Sequence, residues 1–407
     1  MYIERKISDT ISGADRSFPV VLVTGARQVG KSTLLSKLAE EGRTIVTLDN
    51  PTIRHLAKTD PELFLQRYQP PVFIDEVQYA PELFPYIKIL ADRDKKNGSF
   101  WLSGSQMFQM MKGVTESLAG RVGVIPMAGL SNNEIRKEGM EPFEMNVSML
   151  SKRMTDVAPM TVKEVFERIY RGSMPKLYED PEADPELYFE SYLATYVSRD
   201  IRELSQVGDE TAFLGFLRIL AARTATSVNY EALAAEAGIS APTAKRWLSL
   251  LVSSGLIILI PAYSHNLLKR VIKAPRMYFS DTGLCAHLMG WGSAAVLENS
   301  MMSGAFFETW VVTEIFKSYL NAGKRPPLYF YRDSNKKEID LILEKDQTLT
   351  PVEIKKASAP AHAVRNFTVL SSLEKGNVTI GQGAVICMAG DLLPIDHKNW
   401  YVPAWLI

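Results

Sequence analysis

The chain has 407 residues, of which 46% are apolar and 23% charged, and lysine plus arginine equal aspartate plus glutamate at 46 each. This length predicts two or three domains with packed cores. The balanced charge argues against a protein that works mainly by coating nucleic acid. Two cysteines, Cys285 and Cys387, exclude a disulfide framework or a cysteine zinc site.

The first ten residues have no apolar core of the kind that a signal peptide needs. No run of the sequence reaches the ~18 apolar residues that span a bilayer. We therefore expect a cytoplasmic protein without a membrane partner.

The first predicted strand, VVLVTG, runs directly into a glycine-rich loop and then a helix. The loop reads GARQVGKS and matches GxxxxGKS in the strand–loop–helix context that this motif requires. Backbone N–H groups and the helix N-terminus favour phosphate binding there. We expect Lys31 to reach the β- and γ-phosphates of ATP and Ser32 to bind Mg²⁺. The predicted phosphate-binding residues are Gly25, Ala26, Arg27, Gln28, Val29, Gly30, Lys31, Ser32 and Thr33.

A second predicted strand, VFIDEVQ, ends in Asp75 and Glu76. Buried carboxylates are costly unless they are used, so this pattern favours a Walker B motif over a simple capped strand end. In that interpretation Asp75 holds Mg²⁺ through water, and Glu76 orients the attacking water. A third strand, SFWLSGSQ, would end at the same sheet edge, where ligands bind. Ser105 or Gln106 is therefore a candidate γ-phosphate sensor, with a plain loop as the alternative.

Phosphoryl transfer gains from an arginine that acts in cis or in trans. Arg121, which follows Gly120 beside an apolar strand, is the first candidate for this catalytic role, and Arg199 is the second. A surface salt bridge is the alternative for either residue. The expected partners at this stage are ATP and, for an arginine acting in trans, a second copy of the chain in a homo-oligomer.

The middle of the chain begins with two predicted helices in residues 161–204, broken at Pro181 and Pro185. They are predicted to form the helical lid of the ATPase. A helix-turn-helix rhythm follows, with Gly238 at the turn and Ser240 capping the second helix. The runs LIILIPAY and APRMYFSD suit the two strands of a wing.

The predicted winged helix has two possible uses. Its basic side chains would contact DNA, or the unit would pack against protein, since its second helix is only weakly basic. The candidate DNA-contacting residues are Lys245, Arg246, Lys269, Arg270 and Lys273.

The C-terminal third contains two alternating strand patterns, EIDLILE and TPVEIKKA. Alternation places Asp340 on one face of the first strand and Glu353 with Lys355 on one face of the second. Two such carboxylates would hold Mg²⁺, which polarises a phosphate and activates water, and the lysine would stabilise developing charge. Glu314, on the preceding helix, is a candidate further ligand. Two half-exposed strands with a surface ion pair are the alternative interpretation.

The element order αβββαβ in this third is that of the restriction-endonuclease-like fold. The spacing D-x12-E-x-K from Asp340 to Lys355 resembles the PD-(D/E)xK nuclease motif. The predicted domain is therefore nuclease-like in fold, and its metal site is a hypothesis.

Nearly the whole chain resembles a large group of bacterial and archaeal AAA+-type ATPases that join a P-loop domain to a C-terminal domain of unknown function. The segments that carry the resemblance are TGARQVGKSTLL, FIDEVQ, LSGSQ, GSMPKLY, YVSRDIREL, PRMYFSDTGL, FFETWVVTE and EIDLIL with VEIK. RGSMP departs from the group, where relatives usually show a second glycine and a phenylalanine before the proline.

The predicted fold class is α/β, with a P-loop NTPase domain built on a parallel sheet, a helical lid, a winged helix and a C-terminal α/β restriction-endonuclease-like domain. The predicted boundaries are 1–150, 151–210, 211–290 and 291–407. We expect a Mg²⁺-dependent ATPase that acts on DNA. The alternative is a nucleotide-dependent switch or DNA-binding regulator whose nuclease-like region is an inactive scaffold. A nucleotide-gated defence nuclease is a third possibility, for which the sequence gives no direct sign.

Overall fold

The structure is a computed structural model, and it describes residues 2–39, 42–105, 117–139, 141–196, 210–264, 270, 273–333, 335–373 and 378–407. Predictions made for Gln106, Arg199 and Lys269 lie outside the described residues. Within the described ranges, no helix has the length and apolar character needed to cross a membrane.

A parallel five-stranded sheet forms the core of the N-terminal region, with strand order β2-β3-β4-β1-β5. Its strands are β1 (Val20–Thr24), β2 (Thr44–Thr47), β3 (Val72–Asp75), β4 (Phe100–Gly104) and β5 (Val122–Pro126). The central strands β1 and β4 are buried along their whole length, as expected for strands of a covered parallel sheet. Because all strands run in one direction, β1, β3 and β4 end at the same edge.

Helices surround this sheet and continue beyond it. They are α1 (Ser8–Ser17), α2 (Lys31–Leu38), α3 (Pro51–Thr59), α4 (Pro61–Arg67), α5 (Leu83–Asp94), α6 (Asn132–Arg136), α7 (Val147–Asp156), α8 (Val162–Arg171), α9 (Lys176–Glu179), α10 (Pro185–Tyr196) and α11 (Glu210–Ala222). Capping boxes start α6, where Ser131 pairs with Glu134, and α8, where Thr161 pairs with Glu164.

The middle region contains a pair of helices, α12 (Tyr230–Ala237) and α13 (Ala241–Ser253). Between them Gly238 has a φ of 66°, a conformation that glycine adopts without strain at a helix C-terminus. The strands β6 (Thr226–Ser227), β7 (Ile257–Ile260) and β8 (Arg276–Phe279) form an antiparallel sheet of order β6-β8-β7. The two strands predicted to follow the helix pair are thus present and paired.

The C-terminal region begins with α14 (Thr282–Leu288), α15 (Ala294–Glu298) and α16 (Ser303–Asn321). A seven-stranded mixed sheet follows, with β12 pairing β11 beside the path β14-β15-β13-β11-β10-β9. Its strands are β9 (Leu328–Arg332), β10 (Glu338–Lys345), β11 (Thr348–Lys355), β12 (Thr379–Ile380), β13 (Gly383–Cys387), β14 (Leu393–Pro394) and β15 (Asn399–Pro403). A 3-10 helix spans Ala363–Leu373.

Helix α16 joins the three regions. Its Ser318 hydroxyl accepts a hydrogen bond from the backbone N–H of Phe143, at 3.1 Å, in the N-terminal half of the chain. Its Thr309 hydroxyl lies 2.9 Å from that of Thr224, beside the middle region. The helix is buried along most of its 19 residues because it is surrounded in this way.

Candidate nucleotide site and C-terminal carboxylate cluster

Two glycines shape the loop between β1 and α2. Gly25 has a φ of 147°, and a Cβ there would lie 2.1 Å from the carbonyl oxygen of Met127, so any side chain would collide with the chain after β5. Gly30 has a φ of 94° and immediately precedes α2. The first turn of a helix leaves its N–H groups without intrahelical partners. The loop therefore ends in a helix N-terminus suited to an anion.

Lys31 is the first residue of α2 and is buried. Its Nζ donates to the carbonyl oxygens of Gly25 at 3.0 Å and Ala26 at 2.8 Å. The ammonium group is therefore held inside the loop by backbone acceptors.

Asp75, at the end of β3, accepts hydrogen bonds from two hydroxyls. The Oγ of Ser32 lies 2.8 Å from its Oδ1, and the Oγ of Ser103 bonds the same oxygen. No salt bridge joins Asp75 to another residue in the described part of the chain. A serine hydroxyl and a carboxylate without a protein counter-ion are oxygen ligands of the kind that Mg²⁺ takes, so these residues fit the ion that the sequence predicts.

Glu76 follows Asp75 in a left-handed conformation with a φ of 57°. Such backbone is uncommon outside glycine and clusters at functional sites. The side-chain amide of Gln78 donates to its carboxylate. Burial raises the pKa of Glu76, while the Gln78 hydrogen bond and the charge of Lys31 oppose that shift.

The remaining residues of the predicted loop have different environments. Gln28 is exposed, has a φ of 61° and accepts a hydrogen bond of 2.5 Å from the Tyr188 hydroxyl on α10, which ties the loop to the helical segment. Thr33 is exposed on α2. Ser105, just beyond β4, is buried, and among the described residues its Oγ has no hydrogen-bond partner.

Sequence reasoning missed Arg5, which is buried behind the loop. Its Nη1 donates to the carbonyl oxygen of Val29 at 2.8 Å, its Nη2 donates to that of Ala128 at 2.8 Å, and its Nε lies 3.1 Å from the Glu134 carboxylate. The residue thereby braces the phosphate loop against the chain that follows β5. Nothing in the polar segment MYIERK distinguishes this arginine from a surface residue.

Arg121 does not lie at the phosphate loop of its own chain. It directly precedes β5, which runs parallel to β1 with Val122 beside Val20, so it lies at the opposite edge of the sheet from Lys31. Its guanidinium pairs with the carboxylate of Asp92. The cis role is therefore wrong, and the surface salt bridge weighed as its alternative is present. A role in trans stays a prediction.

A cavity of about 320 Å³ adjoins the phosphate loop on the side of the middle region. Ala26 and Val29 line it from the loop, Met174 from the GSMP segment, and Gly255 and Ile257 from the middle region. A Cβ on Gly255 would lie 3.3 Å from the backbone nitrogen of Ala26. The middle region thus touches the loop directly.

The second predicted constellation, in the C-terminal sheet, is also brought together. The register pairs Leu341 with Val352, so Asp340 and Glu353 follow at the adjacent positions of β10 and β11. Lys355 Nζ lies 3.2 Å from Asp340 Oδ2 and 2.7 Å from Glu353 Oε1. Asp340 Oδ2 also accepts the backbone N–H of Ile354 at 3.0 Å.

An arginine that sequence reasoning did not connect with this cluster enters it from the middle region. Arg276 begins β8, and its guanidinium lies 3.6 Å from Asp340 Oδ1, 3.1 Å from Glu308 Oε1 and 2.8 Å from Glu338 Oε2. Its side chain is 5% exposed. The Tyr278 hydroxyl on the same strand donates to Glu308 at 2.8 Å.

The acid that α16 contributes to the cluster is Glu308 rather than Glu314. Residues six apart on a helix point about 120° away from each other, so the two carboxylates cannot share one site. Glu314 instead accepts the backbone N–H of Asn132 at 2.8 Å and pairs with Lys317 at 2.9 Å. The prediction of Glu314 as a further ligand was wrong, because the side of α16 that contacts β8 carries Glu308.

The cluster perturbs its carboxyl groups. Burial, together with the charge of Asp340, raises the pKa of Glu308 to about 8 and that of Glu353 to about 7. The described residues contain no group of three or more acids, histidines or cysteines placed to hold a metal ion. Glu353 Oε2 is buried and has no hydrogen-bond partner among the described residues. Both oxygens of Asp340, however, face cations, Arg276 at Oδ1 and Lys355 at Oδ2, so the arrangement does not fit the Mg²⁺ site that the spacing predicts.

Three family models match successive parts of the chain. Residues 17–136 match an AAA domain, residues 162–295 a domain of unknown function (DUF8612), and residues 303–407 a second domain of unknown function (DUF4143). The chain therefore carries an AAA-type P-loop domain in residues 17–136 and a domain of unknown function in residues 303–407. The resemblance seen in the sequence is thereby confirmed, and nucleotide binding is the activity that this family implies for the loop.

Two curated relatives of this chain are uncharacterized proteins of Mycobacterium bovis and Mycobacterium tuberculosis. Each is 27% identical over 384 residues, which cover 93% of this chain and 80% of the relative. Similar solved structures include the Walker-type ATPase PABY2304 of Pyrococcus abyssi, with a TM-score of 0.44, 15% identity, and coverage of 70% of this chain and 96% of that one. The Thermotoga maritima RuvB Holliday junction branch migration motor is also similar, with a TM-score of 0.29 and 16% identity. That match covers 63% of this chain and 88% of the RuvB chain.

Proposed function

We propose that this protein is a Mg²⁺-dependent ATPase. The observation that carries the proposal is the convergence of Ser32, Asp75 and Glu76 at the edge of the parallel sheet where the phosphate loop ends. The Ser32 hydroxyl lies 2.8 Å from the Asp75 carboxylate. Glu76 follows in a conformation set by its left-handed backbone and by Gln78.

In this proposal each residue acts on a different part of the nucleotide. Lys31 exchanges its carbonyl partners at Gly25 and Ala26 for oxygens of the β- and γ-phosphates. Ser32 and Asp75 would hold Mg²⁺, which when bound neutralises charge on the phosphate oxygens. Glu76, as the carboxylate, orients the attacking water. Ser105 faces the same sheet edge and is proposed to contact the γ-phosphate.

The test is nucleotide binding and phosphate release by Lys31→Ala. We expect binding to be lost, because the variant removes the cation at the phosphates. Lys37→Ala is the matched control, since Lys37 lies in the last turn of the same helix and is expected to leave binding unchanged. Retained nucleotide affinity in Lys31→Ala, measured by isothermal titration, would contradict the assignment of the loop.

We further propose that α13, rather than Arg270 of the predicted wing, contacts nucleic acid. Lys245 and Arg246 are both exposed on that helix. Arg270, by contrast, is bound bidentately to Glu344 at 2.7 and 3.0 Å. Tyr263 N–H also donates to the Phe330 carbonyl at 2.6 Å, so chain following β7 packs on the C-terminal region. These contacts favour the packing role for the predicted wing.

Salt dependence of DNA binding separates the two surfaces. Removing a cation that contacts a phosphate makes the slope of log affinity against log salt shallower. Lys245→Ala and Arg246→Ala should therefore each reduce the slope, and Arg270→Ala should not. Anisotropy with a labelled duplex gives the slopes, and phosphate release measured with and without DNA shows whether turnover responds. Salt-independent or absent binding would assign the helix pair to protein packing as well.

For the C-terminal region we favour the inactive nuclease-like scaffold. Its acids are engaged by Arg276 and Lys355, which supports a structural role for the cluster. We expect no cleavage of DNA or RNA with Mg²⁺ or Mn²⁺. Metal-dependent cleavage by the parent that is lost in Asp340→Ala would restore the nuclease hypothesis.

A further inference from the structure

The C-terminal carboxylate cluster receives its cation from another region of the same chain. Arg276 is the first residue of β8, in the sheet beside the helix pair, whereas Glu308, Glu338 and Asp340 belong to α16 and β10. The guanidinium makes its closest contact, at 2.8 Å, with Glu338. It lies 3.1 Å from Glu308 and 3.6 Å from Asp340. One side chain therefore contacts carboxylates from two elements of the C-terminal region.

An arginine suits this position better than other protein cations. Its guanidinium stays charged and presents several donors in a rigid plane, so it can serve more than one carboxylate. Removing a partner from a buried pair leaves an uncompensated charge. Since the Arg276 side chain is 5% exposed and that of Asp340 11%, each group depends on the other. The acids are consequently organised around a guanidinium.

Strand β8 leads from this cluster to the phosphate loop. Directly after the strand, the Ser280 hydroxyl donates to the Gly255 carbonyl at 2.6 Å, and Gly255 abuts the backbone of Ala26 in the loop. The next residue, Asp281, accepts hydrogen bonds of 2.7 Å from both the backbone N–H and the hydroxyl of Ser173. Ser173 and Gly255 both line the cavity beside the phosphate loop.

We propose that the cluster is an interdomain binding site whose resident ligand is Arg276, and that β8 couples its occupancy to the nucleotide site. Asp281 follows Arg276 by five positions, and Arg276–Phe279 form one extended strand, so a shift at one end of the strand is carried to the other. The first half of this proposal is independent of nucleotide. The coupling rests on the proposed function.

Manganese binding tests the first half. Mn²⁺ is titrated by electron paramagnetic resonance into the full chain without nucleotide, and the parent is compared with Asp340→Asn and Glu353→Gln. We expect the same number of bound ions in all three proteins, because both oxygens of Asp340 already face cations, and Lys355 also pairs with Glu353. Loss of one bound ion in either variant would overturn the proposal, and two variants guard against misfolding of one.

Nucleotide affinity tests the coupling. Arg276→Met keeps the apolar stem but removes the guanidinium, and we expect its Kd for a fluorescent ADP analogue to rise about five-fold or more, the lower bound of typical coupling. Arg270→Met is the matched control, because Arg270 also pairs across to the C-terminal region, with Glu344, but does not lie on β8. Its Kd should stay within about two-fold of the parent.

The charge-preserving variant Arg276→Lys keeps the test usable if Arg276→Met does not fold, and its Kd should fall between those of the parent and Arg276→Met. Equal Kd values for the parent, Arg276→Lys and Arg276→Met would overturn the coupling. A parent that binds no nucleotide would instead contradict the proposed function, so the two failures are distinguishable.

Discussion

Two sites in this chain pair strand acids with a lysine, and they differ in what balances the acids. At the phosphate loop, Asp75 meets the hydroxyls of Ser32 and Ser103, while Lys31 is held by backbone carbonyls. At the C-terminal cluster, Asp340 is bound by Lys355 and approached by Arg276. Among the described residues, the carboxylate of Asp75 therefore has no protein counter-ion, whereas both oxygens of Asp340 face cations.

The difference shows that a carboxylate motif is defined by its counter-ion as much as by its spacing. The spacing along β10 and β11 predicts that Asp340, Glu353 and Lys355 lie close together, and they do. The guanidinium that completes the set comes from residue 276, more than sixty positions away. Variants at the two sites should therefore respond in opposite ways, and the following predictions run from the largest expected effect to the smallest.

The largest effect is expected on turnover from Glu76→Gln. The variant keeps the shape of the side chain but removes the carboxylate that we propose orients water, so ATP hydrolysis should fall about 10²-fold or more while nucleotide binding persists. Single-turnover phosphate release and isothermal titration measure the two quantities. The parallel change Glu353→Gln is the control and should leave hydrolysis near that of the parent. Equal turnover in Glu76→Gln and the parent would remove Glu76 from the mechanism.

The next largest effect is on stability, where the two sites should separate clearly. Arg276→Met leaves acids of the cluster without their guanidinium and should lower the free energy of unfolding by about 3–5 kcal/mol, as for other broken buried pairs. Asp75→Asn removes a carboxylate that pairs with no protein cation among the described residues. It should therefore lower the free energy of unfolding by about 1 kcal/mol or less. Chemical denaturation followed by tryptophan fluorescence gives both values. Similar losses in the two variants would mean that the sites are not electrostatically different.

Much of the nucleotide site could be predicted from sequence because its determinants are local. GARQVGKS must follow a strand and open a helix, and the acids of the second strand must end at the same sheet edge, so chain order fixes the geometry of Lys31, Ser32 and Asp75. The parallel sheet, the helix pair and the alternating C-terminal strands also follow from short-range patterns. Apolar runs and capping residues are sufficient to locate them.

What sequence could not supply were contacts between distant segments. Arg5 lies in a polar N-terminal segment, yet it is buried and contacts both Val29 and Glu134. Glu134 lies 129 positions away in the sequence. Arg276 likewise acquires its role only when β8 is placed against α16 and β10. Glu308 could have been considered from sequence, because helical phase places it on a different side of the helix from Glu314. Selecting Glu308 would have required knowledge of its partner on the facing sheet.

A smaller effect is expected from pH on the C-terminal cluster. The raised pKa of Glu308, about 8 against an ordinary 4.5, means that the folded chain binds this proton more tightly than the unfolded chain. The contribution of Glu308 to stability is fully present at a pH below its ordinary pKa of 4.5. That contribution is lost as the pH rises through the raised pKa of about 8. Stability should therefore decline between about pH 4.5 and 8, and Glu308→Gln should flatten that decline. An unchanged pH slope in melting experiments on Glu308→Gln would place the titrating group elsewhere.

The smallest effect is expected from Arg121→Ala, which tests whether the first site is completed from within the chain. Arg121 lies at the far edge of the sheet from Lys31 and pairs with Asp92 on α5, so it cannot reach phosphates bound at its own loop. Turnover should stay within about two-fold of the parent, whereas a true arginine finger contributes about 10³–10⁵. Lys88→Ala, which removes a cation on the same helix as Asp92, is the matched control. A loss of 10³ confined to Arg121→Ala, with a turnover that depends on protein concentration, would instead show that a second copy supplies the arginine in trans.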